Sequence, residues 1–158
     1  MNGSQEALKQ ACATAGLDPD DARLLRLGSN AVYRLKDPVV ARISRPGTDI
    51  QHARRTVAVA RWLESAAYPA VRVAEVDVDQ PIVTNGYVVT FWQAISDDGD
   101  QYASTLEIAE VLRKLHQLTA PEDLQLPPLA PFANAAQRID ANISGLQDRH
   151  PGHQHGKQ

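Results

Sequence analysis

The run RLGSNAVYRLKDPVVARIS, Arg26 to Ser44, is the stretch on which the fold turns. Two β-rich segments, reading ARLLRLGS and NAVYRLKD, flank a small Gly28-Ser29-Asn30 turn. After Asp37-Pro38 comes VVARIS, a third strand dense in β-branched residues, which crowd a helix and suit a pleated surface. Alternation places Val40 and Arg42 on one face of that strand, with Val39, Ala41 and Ile43 on the other. A guanidinium keeps its charge, so a buried Arg42 requires an anion or water beside it. The other reading turns Arg42 to solvent on an open sheet face. In both it shares its face with Val40, as the wall of a cleft does. Gly28 is free to take positive φ. The turn either satisfies itself through Ser and Asn bonds to its own backbone, or the N–H groups of Ser29, Asn30 and Ala31 form an anion-binding concavity.

Outward from this run, SQEALKQACATAGL reads as a helix with Ser4 as N-cap and Gly16 as its stop. IQHARRTVAVARWLESAA is a second helix, capped by Thr48 or Asp49, with Ile50, Ala53, Val57, Ala60 and Leu63 at helical spacing. VRVAEVDV alternates and is predicted to be a half-buried strand. PIVTNGYVVTFWQAI carries Asn85-Gly86 between apolar runs, a strong hairpin signal. SDDGD breaks the pattern and is the expected hinge. STLEIAEVLRKLHQL is an amphipathic helix capped by Ser104 or Thr105, and FANAAQRIDANI a last short helix. From Ser144 onward no apolar period remains, and a disordered tail is expected.

The chain has 158 residues, enough for one ordinary domain or a domain and part of another. Its longest apolar runs fall well short of the roughly 20 residues that span a bilayer. The start, MNGSQE, lacks the basic and apolar regions of a signal peptide, and Cys12 alone makes neither a disulfide nor a cysteine metal cage. Those features predict a cytoplasmic protein with no membrane partner. Net charge is −3, yet residues 23–61 hold nine Lys/Arg against only Asp37 and Asp49. A basic segment in an acidic chain suits an anionic partner or a solvated face. Nucleic acid is disfavoured, because the segment lacks interleaved aromatics and a known motif.

LGSNAVYRL leading into VVARI, then ARRTVAVARWL, then VVTFWQAI, resembles the N-terminal lobe of the aminoglycoside phosphotransferase family, a small-molecule branch of the protein-kinase-like fold. The similarity runs from Leu24 to Phe132 and includes IAEVLRKLHQL. It implies an α+β fold: a mostly antiparallel five-stranded sheet with one packed helix, then a hinge and short helices. The implied organisation is an N-terminal helix (1–22), the nucleotide-binding lobe (23–96), the hinge and first helices of an incomplete second lobe (97–143), and the tail (144–158). The resemblance implies ATP or GTP as the bound nucleotide. Gly28, Ser29 and Asn30 would cover its phosphates, and Arg42 would take the place of the lysine that bridges them. Val40, Val89 and Phe91 would touch the base ring, and the backbone at Trp92, Gln93 and Ala94 would hydrogen-bond it. Thr56 falls where such lobes carry the glutamate that holds the strand cation, and Glu64 lies two turns further on.

Phosphoryl transfer in that family uses a His-x-Asp loop and a later metal-binding Asp, and neither stands in this sequence. Accordingly no catalytic residue and no metal ligand is assigned, and Mg²⁺ and a hydroxyl-bearing substrate are expected only with a complete second lobe. His150, His153 and His155 belong to the polar tail. The expectation is a nucleotide-binding portion of a small-molecule kinase, inactive by itself; the alternative is a non-catalytic module that binds a nucleotide or a partner. Leu106, Ile108, Leu112 and Leu115 predict an exposed apolar face on the helix at 104–118, and hence self-association.

Overall fold

A computed structural model describes residues 3–95, 102–124 and 126–128. The expected hinge at 96–100, the helix expected at 132–143 and the tail lie outside the described residues. The chain divides into two compact units, Met1–Gln125 and Leu126–Gln158, and every element below belongs to the first. The elements are α1 (Gly3–Ala15), β1 (Arg23–Leu27), β2 (Asn30–Arg34), β3 (Val39–Ser44), α2 (Ile50–Ser65), β4 (Ile82–Thr84), β5 (Tyr87–Gln93) and α3 (Thr105–His116), followed by a 3₁₀ turn, Glu122–Leu124. The fold is α+β, with one antiparallel sheet in the order β1-β2-β3-β5-β4.

Register ties the sheet into rows. Tyr33, Ala41 and Phe91 lie side by side on neighbouring strands, as do Ala31, Ile43 and Val89. These six are buried against Ala7, Leu8, Ala11 and Cys12 of α1. Phe91, Ile43 and Val89 are completely enclosed, each stabilising the fold by about 1.5–3 kcal/mol relative to an exposed side chain. Burial, with the negative Asp18 as a smaller cause, pushes the Cys12 thiol up to about 11. Cys12 is therefore a packing atom rather than a nucleophile. Ser4 lies inside α1 instead of capping it, and its hydroxyl meets the Tyr33 hydroxyl at 3.1 Å. Gly16 ends α1 at φ +69°, with the Leu17 N–H bonded back to the Cys12 carbonyl at 2.9 Å.

On the opposite face, Val57 and Ala60 of α2 pack with Val73 and Trp92. Asp49 is the N-cap of α2 and accepts from the Gln51 N–H at 2.9 Å. Asn85 and Gly86, at φ 49° and 76°, close the β4–β5 hairpin between Thr84 and Tyr87. The hairpin follows from the left-handed freedom of those two residue types.

The strand expected at VRVAEVDV does not form; the segment makes one bridge, Val73 to Trp92. Val73 and Ala74 are both buried, but on opposite faces: Val73 in the α2-side cluster and Ala74 in the α1-side core. The ladder stops because the next inward backbone donor on β5, the Phe91 N–H, is taken by the Gln80 side chain at 2.6 Å. Gln80 also donates to the Ala74 carbonyl at 2.9 Å, so a buried amide replaces strand pairing there.

Ser104 and Glu107 form a capping box at the start of α3. Hydrogen bonds from Ser104 lower the Glu107 carboxyl below the usual carboxylate range. No residue of α3 is buried, and Leu106, Ile108 and Leu112 are 70%, 50% and 48% exposed. The Tyr68 hydroxyl reaches the Val111 carbonyl at 3.3 Å. Among the described residues no helix is long and apolar enough to cross a membrane.

Candidate functional site

Strand β3 presents its even-numbered residues away from α1. Across the sheet, Val32, Arg42 and Thr90 form one row, and Arg34, Val40 and Trp92 the next. Between this face, α2 and the segment around Val71 opens a cleft of about 510 Å³. Val32, Val40, Val71, Trp92 and Ile95 line it with apolar surface, and Arg42, Thr56 and Gln93 supply its polar groups. That volume and that lining are those of a small-molecule site. Arg42, Thr56 and Trp92 also border a smaller recess of about 40 Å³, completed by Asn30, Ser44, Thr48, His52 and others. Arg42 thus stands at the junction of a large apolar slot and a small polar one.

Arg42 is exposed in the cleft rather than buried, so its charge stays in contact with solvent. The guanidinium is nevertheless held. With its amide oxygen turned toward Arg42, Asn30 accepts from Nε at 3.1 Å and from Nη2 at 3.0 Å. Asn30 pairs with Ser44, which makes it the diagonal neighbour of Arg42 on the same face, within reach of a long side chain. Two of five guanidinium N–H groups are occupied in this way, leaving the others for a ligand. Thr56 does share the cleft with Arg42, but its hydroxyl donates to the His52 carbonyl at 2.9 Å. No carboxylate lines the cleft or the recess among the described residues.

The other expected positions divide. Val40, Arg42, Trp92 and Gln93 meet at the cleft, and Asn30 joins them through Arg42. Val89 does not; it and Phe91 face α1 behind the sheet, because they stand an odd number of residues from Trp92. The turn also differs from expectation. Gly28 is not among the residues at positive φ, and its carbonyl accepts from Arg45 Nη2 at 3.1 Å. The Gly28 N–H is bonded to the Asn30 carbonyl at 3.0 Å, and Asn30 and Ala31 sit in the β2–β3 ladder. The turn is a hairpin whose Gly28 N–H and carbonyl are both bonded and which Arg45 braces, with the Asn30 side chain turned to Arg42 rather than to its own backbone.

At the end of β5 the backbone donors are committed as well. The Gln93 N–H bonds the Arg72 carbonyl at 2.9 Å and the Ala94 N–H bonds the Pro38 carbonyl at 2.7 Å. Trp92 contributes its ring as a wall, with its indole N–H donated to Thr90 at 2.9 Å. Val32 was left unassigned by the sequence reading, and Asn30, expected to cover phosphates, instead orients Arg42. Val32 sits two residues before Arg34 on a strand whose alternation is plain, so its place was open to inference. Asn30's role depends on the β2–β3 register.

No protein-family model matches the chain, and a search of the curated proteins finds no relative. The site therefore rests on its own geometry.

The two hairpin glycines separate by their backbones. Replacing Gly86, at φ +76°, by alanine is expected to cost about 1 kcal/mol. At Gly28 an added Cβ meets nothing nearer than Arg26 Nε at 3.8 Å, so Gly28→Ala is expected to change stability by under about 0.5 kcal/mol. Urea unfolding of both variants checks this, and a Gly28→Ala loss as large as that of Gly86→Ala contradicts the described turn.

Proposed function

We propose that this chain is a nucleotide-binding lobe of the kind found in aminoglycoside-phosphotransferase-like small-molecule kinases, taking ATP or GTP. One observation carries the reading: an apolar slot between Val32, Val40 and Trp92 ends at a guanidinium that already has part of its donor set free. A purine fits the slot by apolar contact with the two valines and the indole. Its phosphates then extend toward Arg42, whose planar fork matches two phosphate oxygens. The order of segments from LGSNAVYRL to VVTFWQAI supports the same reading.

Base selection is weak in this account. With the Gln93 and Ala94 N–H groups already bonded, the slot selects shape more than hydrogen-bonding edges. ATP and GTP are therefore expected to bind with similar strength. Transfer of the γ-phosphoryl group to a small-molecule hydroxyl needs a base and metal-binding carboxylates beyond the residues named here. The role assigned to this chain is to bind and orient the nucleotide.

The alternative, a non-catalytic binding module, is favoured by Thr56. In such lobes a helix carboxylate aligns the strand cation for transfer, and here that position is a hydroxyl turned to its own helix. For self-association we assign the unburied face of α3, where Ile108, Val111, Leu112 and Leu115 recur at helical spacing.

Two measurements check these proposals. Millimolar ATP and GTP are each expected to raise the melting temperature of the wild-type chain and to leave Arg42→Ala unshifted. No shift of the wild type with either nucleotide contradicts nucleotide binding. Sedimentation is expected to show concentration-dependent association that Leu112→Glu abolishes, and a monodisperse monomer at high concentration contradicts the assignment of α3.

A further inference from the structure

The cleft-facing side of the sheet gathers more positive charge than one phosphate contact requires. Arg26 lies opposite Val32, and Val32 lies opposite Arg42, so both arginines occupy one row on one face. Their backbones stand two strands apart, roughly 10 Å, a gap that two long side chains can close around a ligand. In the next row Arg23 is placed directly opposite Arg34, a like-charge pair that is unfavourable without an anion nearby. Among the described residues the ion pair found is Arg72 with Glu64 at 2.7 Å, and it involves none of these four.

Arg42 has a neutral partner. In a lobe where a carboxylate holds the strand cation, that carboxylate offsets the cation's charge and repels a highly charged ligand. Asn30 supplies the same orientation with no negative charge, and Arg42 keeps its full attraction for an anion. A divalent metal is poorly matched to this set of groups. Mg²⁺ takes carboxylates together with phosphate oxygens, and the polar groups lining the recess beside Arg42 are an amide, hydroxyls and an imidazole. No cluster of three potential metal ligands occurs among the described residues.

We infer that this cleft binds its nucleotide as the metal-free polyanion, in preference to the magnesium complex. The inference rests on the nucleotide reading and specifies the charge state of the ligand. Magnesium bridging the β- and γ-phosphates cancels about half the charge of a triphosphate, and with it much of the attraction to Arg42, Arg26 and Arg34. Arginine replaces the metal as the neutralising group. Binding of this kind is steeply salt-dependent and holds the nucleotide without preparing it for transfer.

Calorimetric titration of the full chain with ATP, in EDTA and in excess Mg²⁺ at equal ionic strength, tests it. ATP in EDTA is expected to bind about fivefold or more tightly than Mg-ATP. Asn30→Asp, which places a carboxylate beside Arg42, is expected to weaken metal-free ATP about tenfold and to erase the difference between the two conditions. Arg26→Gln, on the exposed edge strand, is expected to weaken metal-free ATP more than Mg-ATP, and it keeps the test open if Asn30→Asp fails to fold. Equal or tighter binding of Mg-ATP overturns the inference and leaves nucleotide binding standing. Retention of the metal-free preference by both variants also overturns it. Absence of binding in both conditions overturns the nucleotide reading itself.

Discussion

Strand β3 works on both of its faces, and the rest of the structure depends on its register. Ala41 and Ile43 complete the rows that pack against α1, while Val40 and Arg42, one residue out of step, make the cleft wall. A slip of one residue would drive a guanidinium into a dry core and turn Ile43 to solvent. Desolvating that charge without a partner costs several kcal/mol, comparable to the whole stability of a small domain. The packing of Ile43, Val89 and Phe91 therefore fixes the place of Arg42 as firmly as anything Arg42 touches itself.

The same economy accounts for Asn30. It closes the first hairpin, pairs with Ser44 in the ladder and holds Nε and Nη2 of Arg42. A neutral orienting group fits a cation left free to meet an anion, whereas a carboxylate in its place would compete with that anion. Thr56, committed to the His52 carbonyl, leaves the choice to Asn30. In the proposed nucleotide complex the apolar slot and the arginine row would act on different parts of one ligand: ring by contact, phosphates by charge.

Much of this was legible in sequence where a local pattern decides the outcome. The Asn85-Gly86 hairpin and the two faces of VVARIS follow from residues within a few positions of one another, and the helix caps were narrowed to Thr48 or Asp49 and to Ser104 or Thr105, of which the structure uses Asp49 and Ser104. Long-range register was not legible. The Asn30–Arg42 bond needs the pairing of two strands, and the irregularity between Leu24 and Arg26 sets Arg26 on the same sheet face as Val32 and Arg42. VRVAEVDV looked like a strand because alternation reports burial, while strand formation requires a free partner edge, and Gln80 occupies part of it. Val89 was misplaced for a simpler reason: counting in twos from Trp92 puts it behind the sheet.

The central claim is that the ligand occupies the Val32–Val40–Arg42 face. Methyl NMR of the valine-labelled chain, titrated with ATP in EDTA, tests it most directly. The Val32 and Val40 methyl signals are expected to shift with a common saturation curve, while Val89, enclosed on the α1 side, stays in place. Shifts at Val89 as large as those at Val32 and Val40, or saturable binding with both cleft valines unmoved, would contradict it.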